Sequence, residues 1–348
     1  MFTALRRFIN VTLTVLFGVV LLLSGGCSTS DTPDPQIKDQ GFKPEIPEGF
    51  PQIDYPEDNA FKIKRFQLGR RLFFEPALSI DSSISCGTCH DPQLAFADDL
   101  PVTPGVKGRK GRRNSPSLFN VAYHPYFMRE GGVPTLEQQV LVPIQEHSEM
   151  AFNIVKAGER LAQNPEYMQM SRDAYDRDMD YYVISRALSN FQRALLSGNS
   201  PYDENERTGS GLTSEELAGR DLFFSSITNC SQCHSGFNFT NYEFKNNGLS
   251  EVYNDVGRFI LTGDSSDLAM FKTPSLRNVE LTAPYMHNGS FASLTDVVEH
   301  YNSGGAAHHQ KSSMIKPLGL TEGEKKQLIA FLKSLTDHDA INNANYVP

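Results

Sequence analysis

Two copies of one five-residue pattern constrain this chain more than any other feature of its sequence. In the first copy, Cys86 and Cys89 are separated by two residues and His90 follows at once. The second copy has the same spacing and comprises Cys230, Cys233 and His234. Two thiols so placed can add to the vinyl groups of haem, while the histidine binds the iron. A single copy could instead be a stray cysteine pair that forms a disulfide or part of a zinc site, but two copies predict two covalently bound haem c groups.

The N-terminus reads as an export signal. Arg6 and Arg7 precede a mostly apolar run, residues 8–23, which is short for a membrane-spanning helix. The run leads into Ser24-Gly25-Gly26-Cys27, which resembles a bacterial lipoprotein cleavage site with Cys27 as the lipidated residue. Residues 1–27 are therefore predicted to be a signal peptide, and the protein to be periplasmic and lipid-anchored, the outer membrane being favoured. Ordinary signal cleavage nearby and an uncleaved anchor are the alternatives.

Composition limits the partners and accounts for every cysteine. One of the five cysteines belongs to the lipid site and four to the haem motifs, which leaves none for disulfides. The chain has 32 basic and 41 acidic residues, a net charge of −9, and no basic run. Nucleic acid is therefore not an expected partner, whereas a basic soluble protein could be steered to this surface. Residues 28–56, rich in Pro, Asp and Gln, are predicted to form a flexible tether.

An internal repeat predicts two similar domains. Leu68-Gly69-Arg70-Arg71-Leu72-Phe73-Phe74 precedes the first motif, and Ala218-Gly219-Arg220-Asp221-Leu222-Phe223-Phe224 precedes the second. Each segment has the pattern of an amphipathic helix. The expected fold is mainly α with long loops and little β: two tandem cytochrome c-like domains, residues 57–205 and 206–338, followed by a tail at 339–348. Further helices are predicted at about Leu136–Val142, Glu159–Ala174, Asp180–Ser197 and Glu322–Leu335.

From about residue 57 to 338 the order of motifs resembles the bacterial dihaem cytochrome c peroxidase superfamily, including its MauG-like branch. Besides the haem motifs, the matching segments are Leu68-Gly69-Arg70, Arg113-Asn114-Ser115-Pro116-Ser117-Leu118, Leu136-Glu137-Gln138-Gln139, Ser148-Glu149-Met150, Thr273-Pro274-Ser275-Leu276-Arg277-Asn278 and Ala283-Pro284-Tyr285-Met286-His287-Asn288-Gly289. The resemblance implies an enzyme in which hydrogen peroxide reacts at the N-terminal haem and the C-terminal haem handles electrons.

The resemblance also assigns catalytic roles to two side chains. Glu149 matches the acid–base glutamate, which would move a proton between the oxygens of peroxide. Gln139 matches a glutamine that would hold peroxide by hydrogen bonds. Taken alone, Glu149 could equally be a solvated carboxylate at a helix end.

One position departs from the family pattern. Arg129 lies ten residues before Gln139, where the family commonly has a tryptophan, and this chain contains no tryptophan. Electrons could pass between the haems through Tyr123, Tyr126 or Phe127, or directly between the haem edges.

The axial ligands predict an asymmetric pair of haems. No histidine lies between residues 91 and 113, where the resemblance would place a removable ligand, and His124 is expected to be structural. The first iron is therefore expected to be open and ready without activation. For the second iron, Tyr301 stands where peroxidases of the family have methionine, as in MauG-like members. A hard phenolate oxygen favours more oxidised iron than a thioether does. The alternatives are that Tyr301 only packs and that His300, Met286 or Met314 binds.

The resemblance further implies a calcium ion, bound by the Asn114 side chain and the main-chain carbonyls of Thr282 and Pro284. The electrons would come from a small redox protein, a cytochrome c or a cupredoxin, or from a residue of a partner protein. A homodimer is one arrangement that the resemblance allows. The rival hypothesis from another class is a dihaem electron carrier without peroxidase chemistry, in which both irons would be closed.

Overall fold

The structure is a computed structural model that describes residues 41–348, and it is mainly helical. The α-helices are α1 (Ile63–Phe73), α2 (Cys86–Cys89), α3 (Leu136–Gln139), α4 (Leu141–Gln145), α5 (Ile154–Leu161), α6 (Pro165–Tyr175), α7 (Tyr181–Arg193), α8 (Pro201–Thr208), α9 (Ser214–Phe224), α10 (Phe259–Thr262), α11 (Leu294–Ser303), α12 (Glu322–Lys333) and α13 (His338–Ile341). Two strands, β1 (Phe244–Lys245) and β2 (Phe271–Lys272), pair antiparallel. Single 3-10 turns occur at Glu57–Asn59, Pro76–Leu78, Pro92–Leu94, Val106–Gly108, Val121–Tyr123, Cys230–Gln232, Ser265–Asp267, Val279–Leu281 and Ala344–Tyr346. The predicted fold class, mainly α with little β, is confirmed.

The structure has two hydrophobic cores, one in the half that carries each haem motif. In the first, α1 crosses α7 so closely that a Cβ on Gly69 would lie 1.9 Å from the carbonyl oxygen of Ala187. In the second, α9 crosses α12, and a Cβ on Gly219 would lie 1.9 Å from the carbonyl oxygen of Gln327. No side chain fits at either glycine, so each crossing requires glycine. The same crossing therefore builds both cores.

A second, longer repeat has a constant offset of 158 residues. Asn120 and Asn278 both have a φ of 60°, and Met128 and Met286 have φ values of 66° and 74°. The equivalent isolated bridges are Phe127 with Val133 and Tyr285 with Phe291. Equivalent N-caps, Thr135 and Ser293, then start α3 and α11. A non-glycine residue rarely has a positive φ. Because positive φ values recur at both equivalent pairs, residues 114–143 and 272–301 have the same backbone conformation at these positions.

The predicted tether is wrong over residues 41–56. The Phe42 ring lies 4.6 Å from Phe66 in the first core, and the Phe50 ring lies 4.6 Å from Phe237 of the second half. These aromatic side chains bury apolar surface, which outweighs the polar composition that suggested a tether. The rest of the predicted tether, the signal peptide and Cys27 lie outside the described residues. Among residues 41–348, none of the helices is long and apolar enough to cross a membrane.

The predicted domain boundary at 205/206 falls inside α8 and needs correction. Tyr202 of α8 packs against Phe331, and Asp203 forms a buried ion pair with Arg277, 2.8 Å from oxygen to nitrogen. Both partners belong to the second half. The whole of α8 therefore belongs with the second core, and the boundary moves to residues 197–200, before the helix.

The predicted tail at 339–348 is also corrected, because it packs on the first core. Tyr346 is 4% exposed, and its hydroxyl donates a hydrogen bond of 2.8 Å to the carbonyl of Ala194. The Asp337 carboxylate, just before α13, accepts hydrogen bonds from the amides of Gly198 and Asn199 at 2.8 and 2.9 Å. The end of the chain thus ties the two halves together.

Helix ends differ from prediction in one informative place. The single helix expected at Glu159–Ala174 is two helices, α5 and α6. Asn164 caps the second with its side chain, and Pro165 follows at the first helical position. Proline lacks the N–H that would continue the preceding helix, so the chain must restart there.

Candidate functional site

A small cavity in the first half gathers the residues of the predicted peroxide site. Its walls carry the first haem motif together with side chains from α3, α4, α7 and the segment after α4. The lining residues are Phe73, Ile84, Ser85, Cys86, Cys89, His90, Leu118, Gln139, Val140, Pro143, Glu149, Met150 and Gln192. Both predicted catalytic side chains therefore face the motif across one cavity.

The first haem loop is fixed by short-range hydrogen bonds. Ser85 and Thr88 form a reciprocal capping box around α2, which carries the two cysteines. The Nδ1–H of His90 donates to the carbonyl of Phe96 at 2.8 Å. Burial, the main cause, lowers the pKa of His90, so the ring stays neutral. A neutral imidazole held at Nδ1 presents Nε2 to a metal.

The second haem motif has the same proximal arrangement. The Nδ1–H of His234 faces two carbonyl acceptors, Phe239 at 3.2 Å and Pro274 at 3.1 Å. Burial again lowers the pKa of this histidine. All four motif cysteines are unpaired thiols, as covalent attachment of haem requires. Both motifs thus offer two thiols and one imidazole Nε2.

Glu149 is held at the cavity by main-chain contacts. The amide of Val106 donates to the Glu149 carbonyl at 2.9 Å. A Cβ on Gly105 would lie 2.1 Å from the Ser148 carbonyl oxygen, so only glycine permits this approach. The Glu149 side chain is accessible from the cavity, yet the surrounding protein raises its pKa by desolvation, and the negative charge of Glu146 adds to this. A carboxyl with a raised pKa is suited to take up and return a proton.

The 158-residue repeat explains why the two sites differ. Pro143, in the wall of the first cavity, is equivalent in the repeat to Tyr301 in the second half. Proline offers no side-chain donor atom, whereas tyrosine offers an oxygen. No described histidine other than His90 lines the first cavity. The sequence contains this signal, but it emerges only when the two halves are aligned by their backbone.

Tyr301 lies in α11 close to the second motif. Burial, the main cause, raises its pKa to about 12, and the charges of Cys230 and Cys233 add to the effect. Two of the alternative ligands contact Asn247: His300 Nε2 lies 3.0 Å from its carbonyl, and the Met286 sulfur accepts from its side-chain amide at 3.2 Å. The Tyr301 hydroxyl also forms a hydrogen bond with the Asn247 side chain. Tyr301 is half-buried and lies near both cysteines, so it is a candidate ligand beside His300, Met286 and Met314.

Gln192 was not anticipated from the sequence. It lies on α7, is 5% exposed and lines the first cavity, and its buried Oε1 has no hydrogen-bond partner. A buried polar atom without a partner is costly, so this amide fits a polar group inside the cavity. Its place among apolar residues of a helix hid it from pattern analysis.

The boundary between the halves contains Arg129 and the predicted calcium ligand Asn114. Arg129 Nη2 donates to the main-chain carbonyl of Asn114 at 2.8 Å. Burial lowers the pKa of Arg129 to about 10, and Arg113 adds to this. Among the described residues, no group of three or more His, Cys, Asp or Glu side chains could hold a metal ion. His124 packs on Tyr242 and is absent from the cavity wall.

The residues present fit two c-type haems. Each half supplies two thiols, a neutral histidine with its Nε2 available, and a core built by the same helix crossing; the first half adds a cavity and a buried amide without a protein partner. The class of protein that this fold and these sites define is a dihaem c-type cytochrome. The comparisons with known proteins refine that class.

A family model described as di-haem cytochrome c peroxidase matches residues 63–210. The chain is 34% identical to the methylamine utilization protein MauG of Methylorubrum extorquens over 292 residues, which is 81% of each chain. It is 30% identical over 306 residues to the cytochrome c551 peroxidase of Pseudomonas aeruginosa, covering 85% of this chain and 84% of that protein. The chain belongs to the di-haem cytochrome c peroxidase family, which makes it a peroxidase-like dihaem oxidoreductase.

Solved structures agree with this assignment. A MauG-like protein associated with microbial copper homeostasis superposes with a TM-score of 0.84 and 32% identity, covering 88% of this chain and 98% of that one. The diheme peroxidase BthA of Burkholderia thailandensis has a TM-score of 0.66 at 24% identity, a likeness of fold alone.

Proposed function

We propose that the protein is a periplasmic, MauG-like oxidoreductase that reduces hydrogen peroxide at its N-terminal haem. Cys86 and Cys89 would hold that haem by thioether bonds and His90 would bind its iron. The observation that carries the proposal is the single cavity in which Gln139 and Glu149 face the motif, while Pro143 replaces a ligand. A site built only to carry electrons needs neither feature.

The side chains divide the work at this cavity. When bound, haem supplies the redox-active iron and stores the oxidising equivalents that peroxide delivers. Gln139 holds peroxide by hydrogen bonds. Glu149 takes a proton from one peroxide oxygen and returns it to the other, which leaves as water. The pKa of Glu149 is raised towards neutral pH, and a proton transfer is efficient when the pKa of the group lies near the working pH.

Replacing the acid–base group tests the proposal directly. Glu149→Gln is expected to slow the reaction with peroxide about 100-fold or more, because general acid–base catalysis is lost. The measurement is stopped-flow absorbance of the haem after mixing with one equivalent of peroxide. Glu159→Gln, an exposed carboxylate on α5, is the matched control and should react at the wild-type rate. A wild-type protein without any peroxide-induced spectral change would support the rival carrier hypothesis instead.

At the second haem, we propose that Cys230, Cys233 and His234 are joined by Tyr301 as the sixth ligand. Tyr301→Phe removes the oxygen but keeps the ring, so it should change the low-spin ferric signal of one haem in electron paramagnetic resonance and leave the other unchanged. His300→Ala is the neighbouring control and should preserve both signals. An unaltered spectrum in Tyr301→Phe would assign the ligand elsewhere.

The electrons are proposed to come from a residue of a partner protein. A phenolate oxygen favours oxidised iron, which suits storage of an oxidising equivalent more than rapid electron entry. One relative is MauG, and one similar structure is linked to copper homeostasis. A small redox protein, a cytochrome c or a cupredoxin, is the second candidate, because other relatives are cytochrome c peroxidases. A steady-state assay with peroxide and reduced cytochrome c decides: fast turnover would favour the second candidate.

Calcium is proposed to bind only weakly at Asn114, Thr282 and Pro284. The guanidinium of Arg129 bonds to Asn114 itself, and its charge opposes a divalent cation. Metal analysis after dialysis in buffered calcium should find less than one ion per chain; a full equivalent that resists a chelator would overturn this. Lipidation at Cys27, anchoring to the outer membrane and a homodimer stay predictions from the sequence.

A further inference from the structure

The two halves exchange equivalent hydrogen bonds across their boundary. The amide of Asn114 in the first half donates to the carbonyl of His287 in the second at 2.9 Å. The amide of Lys272 in the second half donates to the carbonyl of Arg129 in the first at 2.7 Å. Asn114 and Lys272 are separated by 158 residues, as are Arg129 and His287. The boundary is therefore self-complementary, in the manner of a two-fold dimer interface.

These same segments reach both proximal histidines. Two residues beyond Asn114, the carbonyl of Pro116 faces the ring of His90. Two residues beyond Lys272, the carbonyl of Pro274 lies 3.1 Å from Nδ1 of His234. Arg129 contacts both segments, through Asn114 and through Lys272. It therefore lies between the two haem sites.

The charge of Arg129 is only partly balanced by the protein. Nη2 is used on the carbonyl of Asn114, but the buried Nε has no hydrogen-bond partner. The two nearby carboxylates, Glu130 and Asp255, both bind the neighbouring Arg113, with Asp255 at 2.7 and 3.0 Å. Lys272, which is half-buried, donates to the carbonyl of Tyr126 at 2.8 Å and adds a further positive charge. Two carboxylates thus face three cations, Arg113, Arg129 and Lys272. Unbalanced positive charge in a poorly solvated place is unfavourable, so this site suits an additional anion.

We propose that Arg129 binds a haem propionate at this boundary and raises the reduction potential of that haem. Haem carries its own carboxylates, and the flat fork of a guanidinium donates two parallel hydrogen bonds to such a group. A fixed positive charge beside a haem stabilises the reduced iron relative to the oxidised iron. A guanidinium is not itself oxidised, so Arg129 acts as a positioning and charge-tuning residue, not as an electron relay.

The test measures the reduction potential of each haem separately by spectroelectrochemical titration. Arg129→Gln should lower the reduction potential of at least one haem. The haem whose potential changes more is the one whose propionate Arg129 binds. Arg129→Lys keeps the charge and should retain most of the wild-type potential. Arg258→Gln is the control: Arg258 contacts the same boundary through the Glu130 carbonyl at 2.7 Å but is paired with Asp267, 3.5 Å away. The reduction potentials of both haems in Arg258→Gln should match those of the wild type.

Two results would overturn the proposal. One is unchanged potentials in Arg129→Gln, and the other is a shift no larger than that of Arg258→Gln. If Arg129→Gln does not fold, Arg129→Lys decides by resonance Raman spectroscopy. Lysine cannot reproduce the paired hydrogen bonds, so the propionate bending band should move; an unmoved band would mean that the side chain does not touch a propionate.

Discussion

At the scale of single residues, the acid–base group is tuned by one neighbour that can be removed cleanly. Desolvation by the surrounding protein is the first cause that raises the pKa of Glu149, and the negative charge of Glu146 is the second. Glu146 also accepts hydrogen bonds from Ser148, at 3.1 Å from the amide and 2.9 Å from the hydroxyl. Glu146→Gln keeps an acceptor oxygen for Ser148 and removes only the charge.

This variant should shift the pH dependence of the peroxide reaction in a defined direction. Glu149 accepts a proton in its deprotonated form, so the rate falls as the pH drops through its pKa. Without the charge of Glu146 that pKa decreases, and the acidic limb of the pH–rate profile moves to lower pH. The shift should shrink at high salt, because Glu146 is exposed and its charge is screened. An acidic limb that does not move in Glu146→Gln, or that moves by the same amount in Glu159→Gln, would show that the charge of Glu146 does not tune Glu149.

The haem motifs could be recognised from their own spacing. Gln139, Glu149 and Tyr301 were predicted from the resemblance to the family. Gln192 and Pro143 could not be identified in this way, since their importance arises from a cavity that six separate segments enclose. Arg129 lies between these two cases. The sequence shows that it stands where the family commonly has a tryptophan. Only the structure shows that the nearby carboxylates bind Arg113 instead.

At the scale of elements, the helix crossings are the most sensitive points. Gly69→Ala would place a methyl group 1.9 Å from the Ala187 carbonyl oxygen, so α1 and α7 must separate. The free energy of unfolding should fall by about 1–3 kcal/mol or more. Gly323→Ala is the control, because that helical glycine of α12 has its nearest neighbour, Thr321 Oγ1, at 3.9 Å. It should be neutral or stabilising by about 0.5–1 kcal/mol in chemical denaturation. Equal effects of the two changes would refute the crossing argument.

The repeat of helices α4 and α11 gives a second test at this scale. Pro143→His places a nitrogen ligand at the position that Tyr301 occupies in the second half. We expect the first iron to become six-coordinate and low-spin, and the peroxide reaction to slow at least tenfold. Electron paramagnetic resonance reports the spin state, and stopped-flow absorbance reports the rate. Gln145→His, exposed on the same helix and outside the cavity wall, should change neither. A high-spin Pro143→His protein would mean that position 143 does not face the iron.

Most elements were predictable where the sequence carries explicit start signals. The predicted start of α9 at Thr213 is confirmed by a capping box with Glu216, and Asp180 caps α7. The missed break between α5 and α6 also had a signal, Asn164 followed by Pro165, which the apolar periodicity on both sides obscured. The long loops carry no periodic pattern, so their path around Glu149 follows only from tertiary contacts.

At the scale of the whole molecule, the last residues stabilise the first domain. Tyr346 fills a pocket between Phe42, Phe96 and Phe119, with ring centroids 6.1–6.5 Å away. Tyr346→Ala should reduce the free energy of unfolding by about 3–4 kcal/mol, as for other large buried aromatic side chains. Denaturation followed at the haem of the first half checks this. Tyr181→Ala, 52% exposed, should cost less than about 0.5 kcal/mol. A loss confined to the second half would show that the C-terminal contact is incidental.

Composition misled the prediction at this scale. Residues 41–56 and 339–348 are polar on average, and average polarity predicts a solvated tether and tail. A few aromatic side chains, Phe42, Phe50 and Tyr346, decide otherwise, because each buries a large apolar surface against a distant part of the chain. Long-range packing of isolated residues leaves no periodic trace in a sequence.

The docking of the C-terminus on the first core has a consequence for biosynthesis. Because a chain is synthesised from its N-terminus, the first half is made long before Asp337 and Tyr346 leave the ribosome. Until they arrive, the first core lacks one wall, and the loop at residues 197–199 lacks the carboxylate that accepts its amides. The first domain can therefore complete its core only after the last residues of the chain have been made.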